Sequence, residues 1–138
     1  MYARPSGAVC DAAESCEHLF VTSQSSAYGR FRRALDSRDA TVAYATATEL
    51  DFVSLPEALE LVLLVVDDSR RFRRAALRWH ARYCAEVSDV GFEEAQAVLA
   101  CLAGLTGRQP KAAAEALAAL VHRRGSRQAG EALIRWAR

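Results

Sequence analysis

The sequence predicts an all-α domain, and three observations lead there. From residue 25 onward, apolar residues recur every three to four positions. No stretch alternates polar with β-branched residues as a half-buried strand would. Helix-starting and helix-stopping residues divide the pattern into segments of ordinary helix length. Six to seven helices are expected, arranged as stacked antiparallel pairs in a short solenoid-like array or an irregular bundle.

Residues 1–24 stand apart. They are rich in Ser and Ala, with Pro5 and Gly7 near the start. Residues 11–20 carry at most a weak helical pattern, so the segment reads as an N-terminal tail. Residues 25–138 form the single domain. The first helix is expected over 26–36, with Tyr28, Phe31 and Leu35 on one face. Asp39 is a good N-cap for the second, which should end near Leu50 and bury Val42, Ala43, Ala47 and Leu50. Its β-branched residues weaken its intrinsic helix preference.

The third helix has the clearest start. Ser54-Leu55-Pro56-Glu57 spells a capping box, with proline in the first turn where its missing N–H costs nothing. Leu55, Leu59, Leu63 and Val66 form one stripe, and Leu61, Val62, Leu64 and Val65 fill the other sides. A helix apolar nearly all round belongs at the centre of a fold. The fourth helix, over 69–87, is strongly amphipathic. Phe72, Ala76, Trp79, Tyr83 and Val87 fall on one side, and Arg71, Arg74, Arg78 and Arg82 are expected on the opposite one.

Gly91-Phe92-Glu93-Glu94 opens the fifth helix, whose apolar face is Phe92, Ala95, Val98, Leu99 and Leu102. It ends between Gly104 and Gly107. Pro110 opens the sixth, with Ala113, Leu117, Leu120 and Val121 inside. Gly125 stops it, after Arg123 and Arg124, whose charges suit a helix C-terminus. Ser126 begins a last helix carrying Ala129, Leu133 and Trp136. Residues 54–58 align with 91–95, and each stretch opens a helix followed by another. That faint repeat favours stacked pairs, with the last helix as a lid on the exposed end.

Composition narrows the function. Among 138 residues, 51% are hydrophobic and 25% charged, so the chain can bury a sizeable core and is not disordered throughout. The net charge of +1 lacks the basic excess of a dedicated nucleic-acid binder. Lys111 is the only lysine, a bias that a GC-rich genome explains. Cys10, Cys16, Cys84 and Cys101 form no CxxC pair, and Cys84 and Cys101 sit in apolar helical stretches. They read as buried, reduced thiols of a cytoplasmic protein. The N-terminus lacks a signal-peptide core, and the longest aliphatic run, residues 61–66, is too short for a bilayer.

The arginine stripe Arg71, Arg74, Arg78 and Arg82 is the main candidate site. Spaced three and four apart, with Arg70 and Arg73 at the flank, these guanidinium groups suit phosphates or an acidic partner. The plainer alternative is a solvated face, with Arg71 paired to Asp67 and Arg82 to Glu86. Trp79 and Tyr83 fall on the core side. His80 and Cys84 have ligand spacing, yet a structural zinc needs four ligands, and Cys101 and His122 would join them only by tertiary coincidence. Cys10, Cys16 and His18 fit no standard metal motif. No GxSxG, phosphate loop or HExxH is present. The pairs Asp67-Asp68 and Glu93-Glu94 sit where they would complement helix N-termini. Leu19, Phe20, Val21 and Trp136 are large apolar residues near the chain ends, suited to a contact patch if the core leaves them uncovered.

From Phe31 to Leu120 the sequence resembles a group of small all-helical proteins common in actinobacteria. The matching features are Phe31-Arg32-Arg33-Ala34-Leu35, the leucine-rich third helix, the run from Arg70 to Trp79, and Glu93-Glu94-Ala95. The resemblance implies a helical domain in a bacterial cytosol and brings no activity with it. The reading is therefore a non-enzymatic module that binds another protein or itself. Nucleic-acid binding through the arginine face is the alternative. No cofactor, metal, membrane or small-molecule substrate is expected.

Overall fold

The structure, a computed structural model, describes residues 26–138. The tail helix, the Cys10, Cys16 and His18 cluster and the Leu19–Val21 patch expected above lie outside the described residues. Seven α-helices and no strand occur among the described residues: α1 (26–36), α2 (Ala40–Ala47), α3 (Leu55–Leu64), α4 (Ser69–Glu86), α5 (Phe92–Gly104), α6 (Pro110–Arg123) and α7 (Arg127–Ala137). Consecutive helices pack as pairs. No helix is long and apolar enough to cross a membrane among the described residues.

The start signals act as the residue types require. Asp39 accepts a hydrogen bond from Val42 N, and Asp68 accepts one from Arg71 N, each at 3.0 Å. Ser54 and Glu57 close the capping box reciprocally, with Ser54 N donating to Glu57 Oε2 at 3.1 Å and Glu57 N donating to Ser54 Oγ at 3.4 Å. Gly125 ends α6 at φ +82, in the left-handed region that a side chain disfavours. Ser126 N reaches back to Val121 O and Gly125 N to His122 O, which satisfies two end carbonyls in a Schellman motif. Ser126 itself makes no side-chain cap.

From α3 to α7 each helix packs on the next, and α7 returns to α3. The last helix is therefore not a lid on a linear stack. It closes a ring of five helices around one core. Leu59, Val62, Trp79, Tyr83, Val98, Leu102, Leu117, Val121 and Leu133 are all fully buried there. A smaller cluster of Phe31, Ala34, Leu35, Ala43 and Leu61 joins α1 and α2 to the other side of α3. The central position predicted for α3 follows from its two apolar sides, each of which has a partner.

Several stripes are rotated from their expected faces. In α2, Val42 is exposed and Thr46 is buried. The Thr46 hydroxyl donates to Val42 O at 2.7 Å, so its burial leaves no polar group unpaired. That helix also ends at Ala47, short of Leu50. In α5, Phe92 (73% exposed) and Leu99 face outward while Val98, Leu102 and Leu105 face in. At 100° per residue Phe92 and Leu99 fall on the flank of that buried stripe. In α6 the buried set is Ala114, Leu117, Ala118 and Val121, with Ala113 and Leu120 half-buried at the edge. Tyr28 is half-exposed and extends its hydroxyl to Glu57 at 2.7 Å.

Candidate functional site

Helix α4 runs eighteen residues without Gly or Pro, from its Asp68 cap to Val87, where the backbone turns extended. Phe72, Ala76, Trp79 and Tyr83 recur at helical spacing and are buried against the ring core. Trp79 Nε1–H donates to Leu55 O at 2.8 Å, which fixes α4 to the start of α3. Its ring lies 5.3 Å from that of Tyr83. Both aromatics are thus core residues and offer no face for stacking on a ligand.

The four arginines do not lie opposite that core. On a helical wheel their centre falls roughly 125° from the apolar centre, which puts them on the flank beside α2. The stripe consequently divides. Arg71 stands over the Tyr44 ring, 5.2 Å from its centroid, while Asp68 caps the helix. The Arg71–Asp67 pair suggested by spacing is not formed. Arg82 forms the expected pair with Glu86, Nε to Oε1 at 2.6 Å. It also donates to Val53 O at 3.0 Å and lies 6.0 Å from the centroid of the Phe52 ring. The two ends of the stripe thus hold α4 to α2 and to the connection before α3.

Arg74 and Arg78 remain exposed and have no carboxylate partner among the described residues. The same holds for Arg70 and Arg73. Arg70, Arg73 and Arg74 stand around Leu77, which is 52% exposed, and Arg78 borders this surface on the α2 side, where its charge reaches Tyr44. The surface of α4 that faces away from the core is therefore Arg70, Arg73, Arg74, Leu77 and Arg78. Sequence reasoning missed Leu77, although its signal was present: it sits three, four and seven residues after those arginines, alone on the polar side.

The other candidates resolve into structural roles. His80 is half-buried and its Nε2–H donates to Ala95 O at 2.7 Å, tying α4 to α5. Cys84 lies 3.7 Å from the same nitrogen and is exposed, contrary to its expected burial. Cys101 is half-buried, and that burial pushes its thiol up. No group of three or more metal-ligating side chains is assembled among the described residues.

Two polar networks were invisible to spacing. Glu94 accepts from Tyr83 Oη at 2.7 Å and from Arg124 Nε at 2.9 Å. Arg124 also donates to Ser88 O at 3.4 Å and Asp89 O at 3.1 Å. Beyond complementing a helix end, this arginine clips the α4–α5 turn to the end of α6. The hydrogen bonds from Arg124 and Tyr83 hold the Glu94 carboxyl down at about 2, and burial with the Glu94 bond pushes Tyr83 up to about 12. In the second network Arg32 lies 3.3 Å from Glu60 and 3.8 Å from buried Glu57. Burial pushes the Glu57 carboxyl up, but bonds from Ser54 and Tyr28 and the Arg32 charge outweigh it and lower it overall.

No protein-family model, curated protein or solved structure matches this chain.

Proposed function

We propose that the protein is a non-enzymatic interaction module whose outer α4 face, Arg70, Arg73, Arg74, Leu77 and Arg78, binds an acidic surface of another protein. One observation carries this: four guanidinium groups with no carboxylate partner among the described residues lie around and beside a half-exposed leucine. Arginine is enriched at protein interfaces and among the residues that carry their binding energy. Planar guanidinium forks suit carboxylates bidentately. A second copy docked face to face would oppose arginine with arginine, which disfavours a symmetric self-contact through this face. The most strongly shifted groups, Glu94 and Tyr83, are engaged with each other and Arg124 in holding helices together, which favours a binding role over catalysis. The resemblance to small actinobacterial helical proteins supports a setting in the bacterial cytosol.

The test is a tagged pull-down of the full chain from native cells, with and without nuclease. A variant carrying Arg74→Glu, Leu77→Asp and Arg78→Glu is run beside it. All three positions are exposed, so the variant keeps its helical circular dichroism. Partners that survive nuclease and are lost by the variant are expected. Partners retained by the folded variant would exclude this face. The nucleic-acid reading rests on the same arginines. It predicts instead that capture is lost on nuclease treatment and falls steeply with salt.

A further inference from the structure

A cavity of about 350 Å³ opens between the end of α1, the middle of α3 and the last turns of α7. It lies apart from the α4 face. Its apolar lining is Leu35, Leu63, Leu64 and the half-buried ring of Trp136. Its rim carries both signs of charge, Asp36 and Glu60 against Arg38 and Arg135. The volume falls at the small end of ligand sites, and an apolar body with a few convergent polar groups is their usual chemistry.

The rim charges differ in what they have left to give. Glu60 is committed, with Arg32 at 3.3 Å and Arg135 at 3.7 Å. That contact leans Arg135 toward the cavity while leaving its side chain 62% exposed. Asp36 touches Arg32 through one oxygen at 3.4 Å and is 69% exposed, so its second oxygen is open to a donor. Arg38 has no carboxylate partner among the described residues. Arg38 and one oxygen of Asp36 therefore remain unengaged above an apolar floor, and Arg135 is held only by its 3.7 Å contact with Glu60.

Arg38 also occupies an unfavourable backbone position. Asp39 N reaches back to Ala34 O and Arg38 N to Leu35 O, the same Schellman motif that ends α6. At α6 the left-handed residue is Gly125; at α1 it is Arg38, at φ 58. Glycine would serve the turn better. Asp89 takes the same φ of 58 in the α4–α5 turn, so the backbone alone does not single out Arg38; what distinguishes it is a guanidinium at the mouth of a cavity with no carboxylate partner among the described residues.

We propose that this cavity binds a free α-amino acid with a large apolar side chain. The carboxylate meets Arg38 and Arg135, the ammonium group meets Asp36, and the side chain lies on Leu35, Leu63 and Leu64 against Trp136. The probes are L-phenylalanine, L-leucine, 3-phenylpropanoate and 2-phenylethylamine at millimolar concentration, added to the full chain. Melting temperature and tryptophan emission are the readouts. Both amino acids raise the melting temperature, and the two phenyl compounds lacking one charge bind about tenfold more weakly or worse. Trp136→Phe removes the emission change, since Trp79 is buried elsewhere in the core. Arg38→Gly melts higher than the parent without ligand and loses the ligand-induced rise. An equal response to 3-phenylpropanoate, an undiminished response in Arg38→Gly, or no response to either amino acid overturns the proposal.

Discussion

Replacing Leu133 with alanine measures what α7 contributes to the fold. Leu133 is fully buried in the main core, on the helix that closes the ring by packing on α3 and α6. Removing three buried carbons from such a site costs the lost transfer free energy plus a cavity term, about 3 kcal/mol. For a domain of this length the unfolding entropy is about 0.3 kcal/mol/K, so the melting temperature falls by about 10 °C. In urea, with a slope of about 2 kcal/mol/M, the midpoint falls by about 1.5 M. The assay is urea unfolding followed by both circular dichroism and tryptophan emission. Trp79 on α4 and Trp136 on α7 place fluorophores in two parts of the ring. The two probes should give coincident transitions, because a ring element unfolds with the whole. Ile134→Ala, one residue along and partly exposed, changes stability by no more than about 0.5 kcal/mol. A loss below about 1 kcal/mol for Leu133→Ala, or an emission transition that precedes the loss of helix, would refute the ring-closure reasoning and restore α7 to a peripheral lid.

Gly104→Ala tests the close approach of α5 and α6. An added Cβ would stand 2.8 Å from Ala113 Cβ, so the helices must part, at a cost of about 1–3 kcal/mol read as a lower urea midpoint. Ser54→Ala removes the α3 cap and one of the bonds holding Glu57, with an expected loss of about 1 kcal/mol by thermal melting. Glu94 sets the acid limb. Its carboxyl falls from 4.5 to about 2 on folding, so its contribution is complete above pH 4.5 and disappears as pH drops toward 2. Glu94→Gln should flatten the stability profile across that window and leave the rest of the acid limb intact. Tyr83 sets the alkaline side. Raised from 10.0 to about 12, it contributes stability that is complete below pH 10 and is lost as pH rises toward 12. Tyr28 and Tyr44 are also raised, by the Glu57 bond and by burial respectively, so alkaline absorbance should show several late tyrosines, and Tyr83→Phe should remove the component at about 12.

Local chemistry was legible in the residues alone. A proline after a Ser-Leu pair, with glutamate next, favours a helix start, and Ser54 begins one. Asp39 and Asp68 each accept from the backbone three residues on, because short carboxylates reach those N–H groups without tertiary help. The two-sided apolar pattern of α3 placed it at the centre. The α4 core side was also readable, down to the burial of Trp79 and Tyr83.

Interactions between distant residues were not legible. A helical wheel gives angles but not which neighbour arrives on which side. Arg71 and Arg82 therefore looked equivalent to Arg74 and Arg78 until α2 placed Tyr44, and the connection before α3 placed Val53, beside the outer two. The candidate surface moved toward Leu77 for that reason. Glu94 and Arg124, thirty residues apart, follow no helical spacing.

The sequence by itself determined the helices, the caps at Asp39, Ser54 and Asp68 and the identity of the central helix, because those depend on forces acting within a few residues; the cap read at Ser126 did not form. Tertiary structure alone decided that α7 closes a ring, that a rim of mixed charge forms over Leu35, Leu63 and Leu64, and which arginines have no carboxylate partner among the described residues. Those outcomes depend on which surfaces meet, and burial free energy rewards any apolar contact without specifying its mate.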